Sequence, residues 1–140
     1  MRFAEVDAAR IVFFSRFLEY CHDALEDLFA SLDGGYPGLT MVRGLGIPTV
    51  HLTVDYRGPL RYGDTALVDV VVERVGNTSV TFLHRITRKN DGALCAELRH
   101  VVVLARLDAM APTEFPPDVK ALLERHLTIS AVARSSQAGA

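Results

Sequence analysis

The pattern that most constrains this chain is an amphipathic helical repeat within residues 7–32, DAARIVFFSRFLEYCHDALEDLFASL. Apolar side chains recur there at steps of three and four, which places them on one helical stripe. The stripe comprises Phe14, Phe17, Leu18, Cys21, Leu25, Leu28, Phe29 and Leu32, and charged residues such as Glu19, Asp23 and Glu26 lie opposite. A helix of roughly eighteen residues would be about 27 Å long, enough to cross a small domain. We expect it to end near Asp33-Gly34-Gly35, because glycine accepts the left-handed conformation that follows a helix.

From residue 47 onward the apolar period changes from helical to two, the period of β-strands. Val50, Leu52, Val54 and Tyr56 alternate with polar residues and predict a half-buried strand. Residues 65–75, 79–89 and 93–107 predict three more strands, and the sequence NDG at residues 90–92 marks a hairpin. The strand predicted at residues 93–107 would be about 45–50 Å long if fully extended, so it must bend or bulge within a small domain.

The remaining segments complete one domain over residues 1–128. A short strand is expected at residues 2–6, a loop at residues 36–46, a short helix at 118–126 and a disordered tail at 129–140. This order predicts an α+β fold in which a long central helix packs on a curved antiparallel sheet of about five strands. Because one helix leaves sheet edges open, a homodimer with sheets continuing edge to edge is expected, or a tetramer of such dimers.

Composition and spacing argue against several classes of protein. The net charge of −2 and pI near 6.2 give no electrostatic reason to expect nucleic-acid binding. No apolar stretch is long enough for a membrane span, and no export leader is recognisable. Cys21 and Cys95 lack CxxC spacing, which favours buried, reduced thiols in a cytoplasmic protein. The histidines show no metal-site spacing, and no Gly-x-Ser-x-Gly elbow is present.

Three stretches, taken in order, carry a family resemblance. Residues 7–14 (DAARIVFF) are similar to an Asp-x-x-Gly-hydrophobic-Val-aromatic opening before a central helix, with Arg10 in place of the usual Gly. Residues 46–48 (GIP) and 55–64 (DYRGPLRYGD) are similar to a characteristic strand and turn, and residues 74–79 (RVGNTS) to the strand pair that follows. Together these stretches resemble the hotdog-fold acyl-CoA thioesterases of the 4-hydroxybenzoyl-CoA thioesterase family. The resemblance extends over residues 3–127 and implies the hotdog fold.

The resemblance implies hydrolysis of an acyl-CoA or acyl-carrier-protein thioester, with Asp7 as the catalytic carboxylate. Asp7 would deprotonate a water molecule or attack the carbonyl itself. The backbone N–H groups of Phe13 and Phe14 would form the oxyanion hole, and Ile11 and Val12 would contact the substrate. No cofactor or metal is implied, since coenzyme A is part of the substrate. From the residues alone, Asp7 is rather expected to be a turn or capping residue that satisfies helix amides.

His22 lies at the flank of the apolar stripe, and two roles remain open for it. By the resemblance, this part of the helix lines an acyl pocket, where His22 would contact a polar substituent of the substrate. Alternatively, His22 is a core histidine bonded to a backbone carbonyl.

Two other functional classes remain open. A hotdog dehydratase or hydratase would pair a histidine with an acidic residue, but residues 8–14 contain no histidine. A non-catalytic acyl-CoA binding protein is the other class. It stays open because of Arg10 and because of Phe14, which stands where the family often has Tyr or His.

Overall fold

The computed structural model describes residues 16–127 and contains three helices and seven strands within that range. The helices are α1 (Arg16–Phe29), α2 (Gly35–Pro37) and α3 (Pro117–Arg125), and a π-helical turn spans Gly38–Val42. The strands are β1 (Leu45–Gly46), β2 (Thr49–Tyr56), β3 (Ala66–Val75), β4 (Ser79–Arg88), β5 (Leu94–Val103), β6 (Ala105–Arg106) and β7 (Ala111–Pro112). The predictions for the strand at residues 2–6 and the tail at 129–140 lie outside the described residues.

Helix α1 buries a narrow version of the predicted stripe. Phe17, Cys21, Leu25 and Phe29, each four residues apart, are buried, whereas Leu18 at the flank is 39% exposed. The described helix has 14 residues and ends at Phe29, earlier than predicted, because the chain tightens there into turns with i to i+3 hydrogen bonds. Gly34 and Gly35 follow with φ of 77° and 63°. The predicted length of eighteen residues is therefore not confirmed.

Strands β2, β5, β4 and β3 form an antiparallel sheet in that order. The four predicted strands are confirmed, and the fifth strand of the predicted sheet lies outside the described residues. Each pair of neighbouring strands has one register shift, and such bulges bend a sheet. Phe17 and Cys21 of α1 pack on Ile86 and Leu98 of this sheet, as the α+β prediction required.

The long strand predicted at residues 93–107 is interrupted at Leu104, which is fully buried. Strand β5 ends at Val103, and β6 resumes in a separate small sheet of order β1-β6-β7. The interruption is the bend that the length of this segment required. The small sheet was not predicted, because its strands have two residues each and carry no periodic signal.

The prediction of a loop at residues 36–46 is wrong for most of its length. Residues 35–42 form α2 and the π-helical turn, in which the N–H of Arg43 donates to the carbonyl of Gly38 at 3.1 Å. Buried Leu39 anchors this segment in the same apolar cluster as Phe29. Its burial stabilises helical turns that the Pro and Gly content argues against.

Helix α3 is close to its predicted bounds and begins with Pro117 in its first turn. Its buried residues Val119, Leu122 and Leu123 join the cluster around Phe29 and Phe82. Within residues 16–127, no helix is both long and apolar enough to cross a membrane.

Candidate active site

A cavity of about 240 Å³ lies between the first half of α1 and the sheet. Helix α1 contributes Leu18, Cys21 and His22, and the sheet contributes Thr49, Leu52, His84, Leu98 and His100. Most of the lining is apolar, and the polar groups are three imidazoles and one hydroxyl. An apolar cavity of roughly 150 Å³ admits benzene, so this space is large enough for a small aromatic or branched acyl group.

His84 and His100 lie side by side at the sheet wall of this cavity. In the antiparallel register Phe82 faces His100 and His84 faces Leu98, which makes the two histidines diagonal neighbours on one face. His84 Nε2 and His100 Nδ1 are 3.3 Å apart, and the ring centroids are 5.5 Å apart. The pairing of β4 with β5 thus brings into contact two histidines that are 16 residues apart in the sequence.

Thr49 joins this pair because of a β-bulge in β2. Its partner in the register is Val102, whereas His51 pairs with Val101, so both Thr49 and Val50 are accommodated opposite one residue. A bulge of this kind redirects a side chain to the other face of the strand. The Thr49 hydroxyl consequently lies 2.7 Å from His100 Nε2, and three side chains form one hydrogen-bonded row.

The two histidines of the row are held in their neutral forms. Burial, reinforced by the adjacent His100, lowers the pKa of His84 from 6.5 to about 4. Burial, reinforced by His22, also lowers the pKa of His100. Both effects disfavour the imidazolium, since water is replaced by apolar surface and a second positive charge would be close by. At neutral pH the row is an uncharged set of hydrogen-bonding groups.

His22 is not a core histidine. Its side chain is 59% exposed, and its Nε2 lies 3.1 Å from Glu26 Oε1, one helical turn later. The alternative of a buried histidine bonded to a backbone carbonyl is therefore wrong. Glu19, Asp23 and Glu26 are exposed, as the amphipathic pattern predicted.

Cys21 also lines the cavity but is not a nucleophile. Burial raises the pKa of its thiol to about 12, and a thiol rather than a thiolate is a poor nucleophile. Cys21 and Cys95 are both free and buried, which confirms the interpretation of these residues as core thiols.

The other predicted site residues lie outside the described residues: Asp7, Ile11, Val12, Phe13 and Phe14. Of the predicted set, the structure thus places His22 alone, and it places this residue at the cavity. His84, His100 and Thr49 were missed. The signal for the histidines was present, because each interrupts an apolar alternation, Phe82-His84-Ile86 on β4 and Leu98-His100-Val102 on β5.

The basic residues near the turns differ in their availability for a phosphate group. Arg88 is engaged, since it donates to both carboxylate oxygens of Asp91 at 2.8–2.9 Å and to the carbonyl of Pro59 at 2.8 Å. Lys89 instead lines a polar cleft together with Gly63, Asp64, Thr65 and Asn90. Among the described residues, no group of three or more His, Cys, Asp or Glu side chains is arranged to hold a metal ion.

Comparison with known proteins gives concordant results for sequence and fold. Residues 1–123 match the family model of the thioesterase-like superfamily. A 1,4-dihydroxy-2-naphthoyl-CoA hydrolase of Nostoc punctiforme is 26% identical over 124 residues, 89% of this chain and 82% of that protein. The enzyme of the same name from Synechococcus sp. CC9605 is 30% identical over 74% of this chain and 72% of that protein.

A solved structure, that of a thioesterase superfamily protein from Jannaschia sp. CCS1, superposes with a TM-score of 0.83. The alignment covers 91% of this chain and 89% of that chain at 22% identity, which supports the fold. The family match, the relatives and the fold agree with the resemblance drawn from residues 7–14, 46–48, 55–64 and 74–79. This chain therefore belongs to the thioesterase-like superfamily and is a thioesterase of the hotdog fold.

Proposed function

We propose that this protein hydrolyses an acyl-CoA thioester to a free acid and coenzyme A, and that the acyl group occupies the cavity beneath α1. The observation that carries this proposal is the position of the cavity. Its helix wall begins at Leu18, in the first turn of α1, immediately after the segment in which the resemblance places the catalytic groups. The proposal therefore expects the reactive groups of residues 7–14 to lie beside this end of the cavity.

In the proposed reaction, the amides of Phe13 and Phe14 bind the carbonyl oxygen as it gains charge. Fixed donors of this kind lower the barrier by about 3–4 kcal/mol each, and a helix N-terminus adds to their effect. Asp7 activates water as a general base or attacks the carbonyl as a nucleophile. The thiolate leaves without strong acid assistance, since the pKa of a thiol is near 8.5.

The relatives support an aromatic acyl group. Their names specify 1,4-dihydroxy-2-naphthoyl-CoA, whose acyl part is an apolar ring system with hydroxyl groups. The cavity here has the corresponding character, with leucine walls and a polar row formed by Thr49, His100 and His84. His22, at the exposed rim, would contact a polar substituent near the entrance.

Coenzyme A is favoured over an acyl-carrier protein as the carrier. Both the curated relatives act on a CoA thioester by name. Lys89, in the polar cleft beside the β4–β5 turn, is a candidate contact for a CoA phosphate.

A homodimer built through β2 is part of the proposal. Strand β2 is an edge of the four-stranded sheet, and seven of its eight residues are exposed. Val50, Leu52 and Tyr56 are 58%, 37% and 47% exposed, respectively, which is unusual for apolar residues on a strand. A second copy paired along this edge would cover them and satisfy the unpaired backbone groups. The two free, buried thiols support a reducing compartment such as the cytoplasm.

A thiol-release assay tests the function. The panel contains aromatic, short, long and β-keto acyl thioesters on coenzyme A and on an acyl-carrier protein, with 1,4-dihydroxy-2-naphthoyl-CoA as the first aromatic substrate. Asp7→Asn should lower kcat/KM at least about 100-fold, the smaller limit for loss of a general base. Asp23→Asn is the matched control, because Asp23 is an exposed carboxylate on α1. Equal rates for the wild type and Asp7→Asn would refute the assignment of Asp7.

A further inference from the structure

The row formed by Thr49, His100 and His84 ends in an atom that has no partner. His84 is completely buried, and its Nδ1 has no hydrogen-bond partner within residues 16–127. A neutral imidazole has one N–H and one lone pair on its two nitrogens. The row therefore has two self-consistent arrangements, which differ in whether this buried Nδ1 carries the proton.

The cost of the unpartnered atom distinguishes the two arrangements. For buried backbone groups, an orphaned N–H is rarer than an under-satisfied C=O, and we take the same order of cost to hold for the two imidazole nitrogens. His84 therefore keeps its lone pair on Nδ1 and donates from Nε2 to His100 Nδ1, 3.3 Å away. His100 in turn donates from Nε2 to Thr49 Oγ1 at 2.7 Å. Such rows are cooperative, because each donated bond polarises the next.

The direction of the row determines what Thr49 offers to the cavity. A hydroxyl group has one donor hydrogen and two acceptor lone pairs. Since Oγ1 already accepts from His100, the Thr49 hydrogen is free to be donated, and the described part of the chain shows no other partner for it. Leu18, Leu52 and Leu98 line the same space. The cavity thus combines apolar walls with an oriented hydroxyl donor at its exposed edge, since Thr49 is exposed.

We propose that Thr49 is a specificity-determining residue, whose hydroxyl donates a hydrogen bond to an acceptor oxygen on the ring of the bound acyl group. His100 and His84 are positioning residues that act through Thr49 by fixing the direction of donation. The choice of an acyl ligand rests on the thioester hydrolysis proposed above, whereas the direction of the row does not.

The direction is tested without any substrate. Long-range proton–nitrogen correlation spectra of the full-length protein, labelled with ¹⁵N in histidine, report which ring nitrogen carries hydrogen. We expect the Nε2–H tautomer for both His84 and His100 at neutral pH, with signals assigned by their loss in His84→Gln and His100→Gln. An Nδ1–H tautomer at either residue would overturn the proposed direction.

Selectivity is tested with matched ring substituents. Methoxybenzoyl-CoA and ethylbenzoyl-CoA have similar shape, but only the methoxy substituent contains an acceptor oxygen, and neither substituent can donate. For at least one of the ortho, meta and para pairs, the wild type should prefer methoxy roughly three- to tenfold in kcat/KM, the range for one neutral hydrogen bond. Thr49→Val, which keeps the side-chain shape, should abolish that preference.

Thr53→Val is the control. Leu52 faces His100 and lines the cavity, so the next residue, Thr53, points to the opposite face, where it pairs with Arg99. Thr53→Val should retain the methoxy preference. The same ratio in the wild type and Thr49→Val for all three isomers would refute the role of Thr49. Hydroxybenzoyl-CoA and methylbenzoyl-CoA form a second matched pair. If the wild type prefers hydroxybenzoyl-CoA in kcat/KM but shows no preference for methoxybenzoyl-CoA over ethylbenzoyl-CoA, Thr49 accepts a hydrogen bond instead of donating one.

The positioning role of His84 has its own measurement. His84→Gln keeps an amide donor near the position of Nε2 and should retain the methoxy preference, whereas His84→Phe should lose it. An unchanged preference in His84→Phe would refute the role of His84. All ratios can also be measured as dissociation constants of nonhydrolysable thioether analogues. A protein that hydrolyses none of the thioesters would refute the proposed function, and the binding ratios would still decide the role of Thr49.

Discussion

The burial of His84 makes the stability of this protein depend on pH in a predictable way. His84 is fully buried, and burial together with the neighbouring His100 lowers its pKa from 6.5 to about 4. The unfolded chain therefore binds a proton at this residue between pH 6.5 and 4, whereas the folded chain does not. Because only the unfolded state takes up this proton, the free energy of unfolding decreases as the pH falls. Above the pKa that His84 has in the unfolded chain, this residue has no effect on the free energy of unfolding. Its contribution is lost as the pH falls from that value towards the pKa of His84 in the folded chain.

The size of the effect follows from the shift. Each unit of pKa difference corresponds to about 1.4 kcal/mol, so the full loss is roughly 3–4 kcal/mol, and most of it has occurred by about pH 4.5. This loss is a large part of the free energy of unfolding of a typical domain, which is about 5–15 kcal/mol. His84→Phe removes the titrating group and keeps a ring beside Phe82. Between pH 7 and 4.5 we expect its stability to fall less than that of the wild type, by roughly 2–3 kcal/mol.

Urea unfolding followed by far-UV circular dichroism measures this difference, at one protein concentration so that any dimer is treated equally. Tryptophan fluorescence is unsuitable because the chain has no tryptophan. His51→Gln is the control, since it removes a histidine that is exposed on β2 and leaves His84 in place. It should retain the acid sensitivity of the wild type. If the wild type and His84→Phe lose the same stability between these pH values, His84 is not held neutral by burial.

Three further substitutions test the interface, the core and the turn after α1. Val50→Lys places a charge on the exposed edge strand β2 and should lower the molar mass measured by light scattering towards that of the monomer. Leu67→Lys, on the opposite edge strand β3, should leave the molar mass unchanged. A dimer that persists in Val50→Lys would contradict the proposed interface. Phe29→Ala empties a site that is 1% exposed and should lower the free energy of unfolding by about 3–5 kcal/mol; a loss below about 1 kcal/mol would show that the core repacks. Gly34→Ala should destabilise the fold more than Gly44→Ala. Both glycines have positive φ, but only at Gly34 would an added Cβ lie close to other backbone, 3.1 Å from the Cα of Gly38. Equal losses of stability in the two variants would contradict this reasoning.

Much of the fold was predictable because its signals are local. The stripe from Phe17 to Phe29 and the alternation along β3 and β4 depend on residues a few positions apart, and these elements lie where they were predicted. The prediction failed at the π-helical turn, where the tertiary burial of Leu39 outweighs local propensity. It also misjudged β2, which has the predicted position but is exposed on both faces in the described chain.

The family resemblance selected site residues within 7–14, which lie outside the described residues, and His22, which the structure places at the cavity. Thr49, His84 and His100 were not selected. His84 and His100 each interrupt an apolar alternation, but nothing within a few positions of any of the three residues indicates that they meet. Their contact depends on the pairing of β2, β5 and β4 and on one bulge.

The amino-acid sequence by itself determined the types of α1, α3 and the four long strands, the apolar face of α1, and the family to which the chain belongs. These properties follow from side-chain periods and backbone preferences that act over a few residues. The tertiary structure alone decided that a cavity opens beneath α1 and that a hydroxyl and two neutral imidazoles line one side of it. Strand register decides this, since a shift of one residue would turn His84 and His100 to the opposite face of the sheet.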